Sequence, residues 1–118
     1  MSTRPFFLLS AASTNLTQVT PGAGSLAGGT VLNTNAAARY LKFYSSGPTG
    51  TPPVVGTAVP WLTVLLPATS QTPLGTICAF DSITASGPLW IATTVNAAYT
   101  DTTAVSAGDL YITLAVQG

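Results

Sequence analysis

The chain has 118 residues, of which 47% are hydrophobic and 5% charged, with three basic and three acidic side chains, no histidine and no net charge. That length allows one domain whose core needs neither a disulfide nor a metal to hold it. Three dispersed cations exclude a phosphate-binding stripe and an anionic-membrane face, so neither nucleic acid nor membrane is expected as a partner.

Residues 1–5 read as a short polar arm, and 6–13 as a first apolar strand. The start resembles a secretory signal, with Arg4 before Phe6-Phe7-Leu8-Leu9. Its apolar run is at the lower limit for such segments, so the expectation is a soluble, non-secreted chain. Asn15-Leu16-Thr17 is then an idle glycosylation acceptor. Leu16 to Thr20 alternates and predicts a short second strand. Pro21-Gly22-Ala23-Gly24 and Gly28-Gly29 carry turn chemistry, with a third strand at 30–33 and a bend at 34–37.

Arg39-Tyr40-Leu41-Lys42-Phe43-Tyr44 is where two of the three basic residues meet three aromatics. Read with period two, Arg39, Leu41 and Phe43 share one face, and Tyr40, Lys42 and Tyr44 the other. This is the pattern of a half-buried strand, predicted as central and covering 38–45. The Tyr40-Lys42-Tyr44 face is either a contact patch or an ordinary solvent face. Arg39, on the apolar side, must reach the rim or pair with a buried Asp.

Residues 46–57 hold Pro48, Pro52 and Pro53 among glycines, which excludes a central strand and predicts a long exposed loop kept for contact. A strand is expected at 61–66, a turn at 68–73, a strand at 74–84, a turn at Ser86-Gly87-Pro88 and a strand at 89–95. A polar loop at 96–108 follows, and then a cleanly alternating strand at 110–116. Trp61 and Trp90 lie in apolar runs and are expected in the core. The whole predicts a single-domain, all-β antiparallel sandwich of seven to eight short strands over 6–118, jelly-roll or immunoglobulin-like.

Little in the chain can carry chemistry. With no His and no Glu, the usual general bases reduce to Asp81, Asp101 and Asp109. Asp109 after Gly108, and Asp101 within the loop, read as turn caps. Catalysis by the pair would need a perturbed carboxyl in a pocket. A calcium ion would want about six oxygens, more than two carboxylates and loop carbonyls readily give. Cys78, alone in Ile77-Cys78-Ala79-Phe80, reads as a small buried hydrophobe. No enzymatic activity, cofactor or metal is expected.

A surface with so few charges has little to oppose self-association, so cover by partners is expected. Two stretches then carry a family resemblance. Asn35-Ala36-Ala37-Ala38-Arg39-Tyr40-Leu41-Lys42-Phe43-Tyr44, with the Pro-containing loop to Val59-Pro60, resembles small structural proteins of tailed bacteriophages. Thr100-Asp101-Thr102-Thr103-Ala104-Val105, followed by Ala107-Gly108-Asp109 and a last strand, resembles their C-terminal pattern. The likeness covers most of residues 30–116. It implies a non-catalytic virion component, best a capsid decoration (cement) protein. Such a protein is often a homotrimer and binds across joints between major capsid protein subunits. The residues expected to lie against neighbours are Arg4, Phe6 and Phe7 of the arm, Tyr40, Lys42 and Tyr44 of the central strand, and Pro48, Pro52 and Pro53 of the loop. The alternative is a phage tail or fibre module that recognises a host surface glycan.

Overall fold

The computed structural model describes residues 3–45, 51–74 and 83–117. Cys78, Asp81 and Pro48 lie outside the described residues, as does most of the strand expected at 74–84. Seven strands are described: β1 (Arg4–Leu9), β2 (Thr17–Asn33), β3 (Arg39–Ser45), β4 (Leu62–Leu66), β5 (Ser70–Pro73), β6 (Ile83–Thr94) and β7 (Leu110–Gln117). All pairings are antiparallel, in the order β1-β7-β2-β6-β3-β4, with β5 also on β2. The all-β antiparallel class expected from the sequence is the class observed.

The two layers are halves of one curled sheet. The first part of β2 pairs with β6, and its last part pairs with β7 and β5. β2 thus belongs to both layers, as strands do where a sheet turns a corner at bulges. The curl brings the end strand β4 back to β2 at Asn33, whose side-chain amide donates to the carbonyls of Leu66 (3.0 Å), the last residue of β4, and Pro67 (3.2 Å).

This corrects the expectation of two short strands separated by glycine and proline turns between 16 and 33. The pairing of β2 with β6 is interrupted between Gln18 and Ala23 and shifts again at Gly24. Pro21 sits in that interruption, where its missing N–H breaks no ladder bond. Thr20 bridges the break: its hydroxyl accepts from the Leu89 N–H at 3.0 Å and donates to the Gly22 carbonyl at 2.7 Å. Gly24 is needed for a close approach, since a Cβ there would lie 2.6 Å from the Gln117 carbonyl oxygen. Gly29, at φ +143°, would drive a Cβ into the Thr113 carbonyl. Ser86-Gly87-Pro88 likewise lies inside β6, with Pro88 opposite Ala23 at the same bulge. The expected turn at 68–73 shrinks to the left-handed Thr69 (φ 47°), after which Ser70–Pro73 forms β5. At the N-terminus, β1 begins at Arg4, within the stretch expected to be an arm, and ends at Leu9 rather than 13.

The core collects the inward set of each strand: Val19, Leu26 and Val31 of β2, Leu41 and Phe43 of β3, Val64 and Leu66 of β4, Leu89 and Ile91 of β6, and Leu110, Ile112, Leu114 and Val116 of β7. Phe6 and Leu8 of β1 pack against it. Every second residue of β7 is buried, which is the alternation its sequence predicts. β3 lies between β6 and β4, an inner strand as expected.

Candidate interaction surface

The charged groups among the described residues are turned to internal use. Arg39 donates through Nε to Asp109 Oδ2 at 3.1 Å, with both side chains about nine-tenths buried. Asn35 Nδ2 donates to the other carboxylate oxygen at 3.0 Å, and the Ser106 N–H donates to Oδ2 at 3.0 Å. Burial alone would raise the Asp109 pKa; the hydrogen bonds from Asn35, Ser106 and Arg39 and the Arg39 charge outweigh it and hold the carboxyl below its ordinary value. Of the two outcomes that the apolar face of Arg39 left open, the rim or a buried Asp, this is the second. Asp101 accepts from the Asn96 N–H (3.0 Å), Asn96 Nδ2 (3.2 Å) and Thr103 Oγ1 (2.7 Å), so it ties its loop together. Desolvation opposes ionisation there too, but those hydrogen bonds lower its pKa. Arg4 donates to the Val19 carbonyl at 3.0 Å.

Lys42 and Tyr44 are not a contact patch, nor a solvent face. Both are fully buried, although they lie on the opposite side of β3 from Leu41 and Phe43. The loop after β6 folds back over Lys42. Lys42 Nζ donates to the Ala98 carbonyl at 2.7 Å, so the buried ammonium is pinned beneath that loop. Burial lowers the Lys42 pKa, and the charge of Asp101 opposes the shift. Burial also raises the Tyr44 pKa; its hydroxyl finds no hydrogen-bond partner among the described residues. Tyr40 is half-buried.

The opposite outer face, on β1, β7, β2 and β5, is bare. Leu9, Tyr111, Leu32 and Gln71 face each other in one cross-strand row, and Phe7, Thr113, Thr30 and Pro73 in the next. Phe7 is 59% exposed, Leu9 45%, Tyr111 42% and Leu32 39%. Beside them lies an open depression of about 580 Å³, lined by Thr3, Arg4, Pro5, Thr30, Thr113 and Ala115 and by Gly29 and Leu114. Of the expected contact residues, Phe7 lies here and Arg4 lines the depression, while Phe6 points toward the core. Sequence reasoning missed Leu9, Leu32 and Tyr111. Tyr111 stood on the outward set of β7, but only the register shows that two leucines flank it.

A second set of exposed apolar side chains lies on loops. Val54, Val59, Trp61 and Tyr99 are exposed, Pro52 is exposed and Pro53 half-buried. Trp61, expected in the core, falls just before β4, where its N–H donates to the Phe43 carbonyl at 2.7 Å and its ring stays 47% exposed. Trp90 is half-buried. Asn15 is buried, and its amide nitrogen donates to Ala11, Ser13 and Thr93, so the glycosylation acceptor is withdrawn in the folded chain.

No family model matches the chain, and no curated protein matches it. Among solved structures, it is similar to one described as Bacillus endospore appendages that form a family of disulfide-linked pili. The TM-score is 0.47 and the identity 11%, over 97% of this chain and 81% of that one. A likeness of that size carries no inference about function.

Proposed function

We propose that the chain is a non-enzymatic virion structural protein, a capsid decoration protein that binds across major capsid protein subunits and associates with itself. The observation that carries this reading is the use of charge. Arg39, Lys42, Asp101 and Asp109 are each committed to bonds within the chain, and among the described residues nine large apolar side chains are exposed. Such a surface adheres by buried area, which salt does not screen. The resemblance of residues 30–116 to phage structural proteins supplies the setting. The Pro52-Pro53 loop with Val54, Val59 and Trp61 is the part suited to lie on the shell. The lowered carboxyls of Asp101 and Asp109 are the opposite of the raised one that a general acid requires.

The test is the amount of this chain in purified particles. A shell protein repeats at every symmetry-related joint, so on the order of hundreds of copies per particle are expected. Absence from mature particles overturns the reading. The exposed rings of Trp61 and Tyr99 favour a second one, a tail or fibre module that stacks a host glycan. That reading predicts a dozen copies or fewer and binding of the isolated chain to a glycan array.

A further inference from the structure

We infer that the bare outer face of β1, β7, β2 and β5 is a contact surface between two copies of this chain, packed face to face across a two-fold axis. Its outward residues are Pro5, Phe7, Leu9, Tyr111, Thr113, Ala115, Thr30, Leu32, Gln71 and Pro73, and none is charged. A like surface therefore meets it with a single cation per copy, Arg4 in the lining of the depression, which already donates to the Val19 carbonyl; an oppositely or more highly charged partner would bring further charge to bury.

The relief of the face is self-complementary. Phe7, Leu9, Tyr111 and Leu32 stand up as an apolar ridge, and the depression over Gly29 lies beside them. A two-fold axis between ridge and hollow seats each copy's ridge in the other's hollow, which is the requirement of an isologous interface. At roughly 200 Å² for a large side chain in the open, the four ridge residues leave about 350 Å² of apolar surface uncovered, the size at which a patch marks a contact. The threonines, prolines and Gln71 around them extend the face toward the roughly 600 Å² per partner at which specific interfaces begin.

The β1 edge of the sheet, which borders this face, offers little to the alternative of strand addition. Ser10 N–H bonds to the Leu110 carbonyl, so along β1 the N–H groups of Leu8, Phe6 and Arg4 point at β7 and those of Leu9, Phe7 and Pro5 point to the open edge. Pro5 has no N–H to offer there. At the other end, the Ala11 N–H and carbonyl are both taken by the Asn15 side chain. Along β1 only Phe7 and Leu9 then keep an N–H on that edge, with the Pro5 carbonyl beside them, too few for a full pairing strand. The second copy consequently stacks on the face.

The inference does not depend on the virion reading, because it concerns the isolated full chain. Sedimentation velocity over a concentration series should show the average mass rising from one copy toward a plateau at two. Thr113→Arg, an exposed position in the middle of the face, should abolish that rise, and Tyr111→Ala should weaken it roughly 10-fold. Val59→Ser, among the exposed loop residues, should leave it unchanged. Circular dichroism of each variant separates loss of association from loss of folding, and Tyr111→Ala carries the test if Thr113→Arg does not fold. A chain that stays monomeric throughout overturns the inference. So does a plateau at three copies, the state the phage resemblance implies, or a pair that Val59→Ser dissociates and the face variants do not. A pair that forms although the chain is missing from particles refutes the virion reading and leaves this one standing.

Discussion

The two outer faces of this curled sheet follow the same alternating pattern and end in opposite states. On β3, the outward Lys42 and Tyr44 are buried, Lys42 beneath the loop that follows β6. On β1 and β7, the outward Phe7, Leu9 and Tyr111 stay open. The difference lies in what each face offers its own chain. Lys42 presents a donor that a loop carbonyl can answer at Ala98, and Asp101 holds that loop in shape. The β1–β7 face presents only hydrocarbon and hydroxyls. A face with an ionised group recruits an intramolecular cover, because leaving that group half-desolvated costs too much. A face without one can stay open until another molecule covers it. Changes on the covered face should therefore alter stability, and changes on the open face should alter association.

The largest effect should come from the anchor below both faces. Asp109→Ala leaves Arg39 buried without its partner and should cost about 3 kcal/mol in urea unfolding. The pH dependence follows from the same group. The folded Asp109 pKa is lowered, so its contribution is complete above the unfolded value of about 4 and is lost as pH falls through the folded value. Acid titration of the wild type should show that loss, and Asp109→Ala should flatten it.

Next is the covered face itself. Lys42→Ala removes the pin to Ala98 and the buried stem, and should cost about 2 kcal/mol. Hydrogen exchange should quicken around residues 96–103. Lys42→Met keeps the stem and removes the buried charge, so its cost should be under about 1 kcal/mol. Because the folded Lys42 pKa is lowered, the wild type should gain stability as pH rises from that folded value toward the unfolded 10.5. Lys42→Met should lose that gain.

Tyr44→Phe is a smaller test. Its hydroxyl has no partner among the described residues, so its removal should leave stability unchanged or raise it by about 1 kcal/mol. Tyr44 has a raised folded pKa, so its contribution is present below about pH 10 and is lost as pH climbs through the folded value. The smallest stability change belongs to the open face. Thr113→Arg should shift unfolding of the monomer by less than about 0.5 kcal/mol while changing association most. A large stability loss there would show that the face is packed within the chain after all.

Much of this was legible in the sequence, and the failures share a cause. β3 and β7 were readable because each alternates without a break, and a buried Asp was one of the two outcomes that the face of Arg39 left open, though Asp109 itself read as a turn cap. β2 was not, because Pro21, Gly24 and Gly29 supply the same local chemistry to a bulge or close strand contact as to a turn. Only their partners at Leu89, Gln117 and Thr113, far along the chain, show which was built. Lys42 was misread for a related reason. Alternation tells which side of a strand a residue faces, and nothing in Tyr40-Lys42-Tyr44 tells that Ala98 will close over it. The open face shows the same limit: Leu9, Tyr111 and Leu32 become neighbours only once β7 enters between β1 and β2.

The most direct measurement is the salt dependence of self-association in the wild-type chain. Equilibrium sedimentation from low to high salt should give nearly the same monomer–dimer constant throughout, because the outward residues that meet are uncharged and Arg4, the one cation lining the hollow, is bonded to the Val19 carbonyl. A pair that dissociates steeply as salt rises, or a chain that remains single at every concentration, would contradict the account.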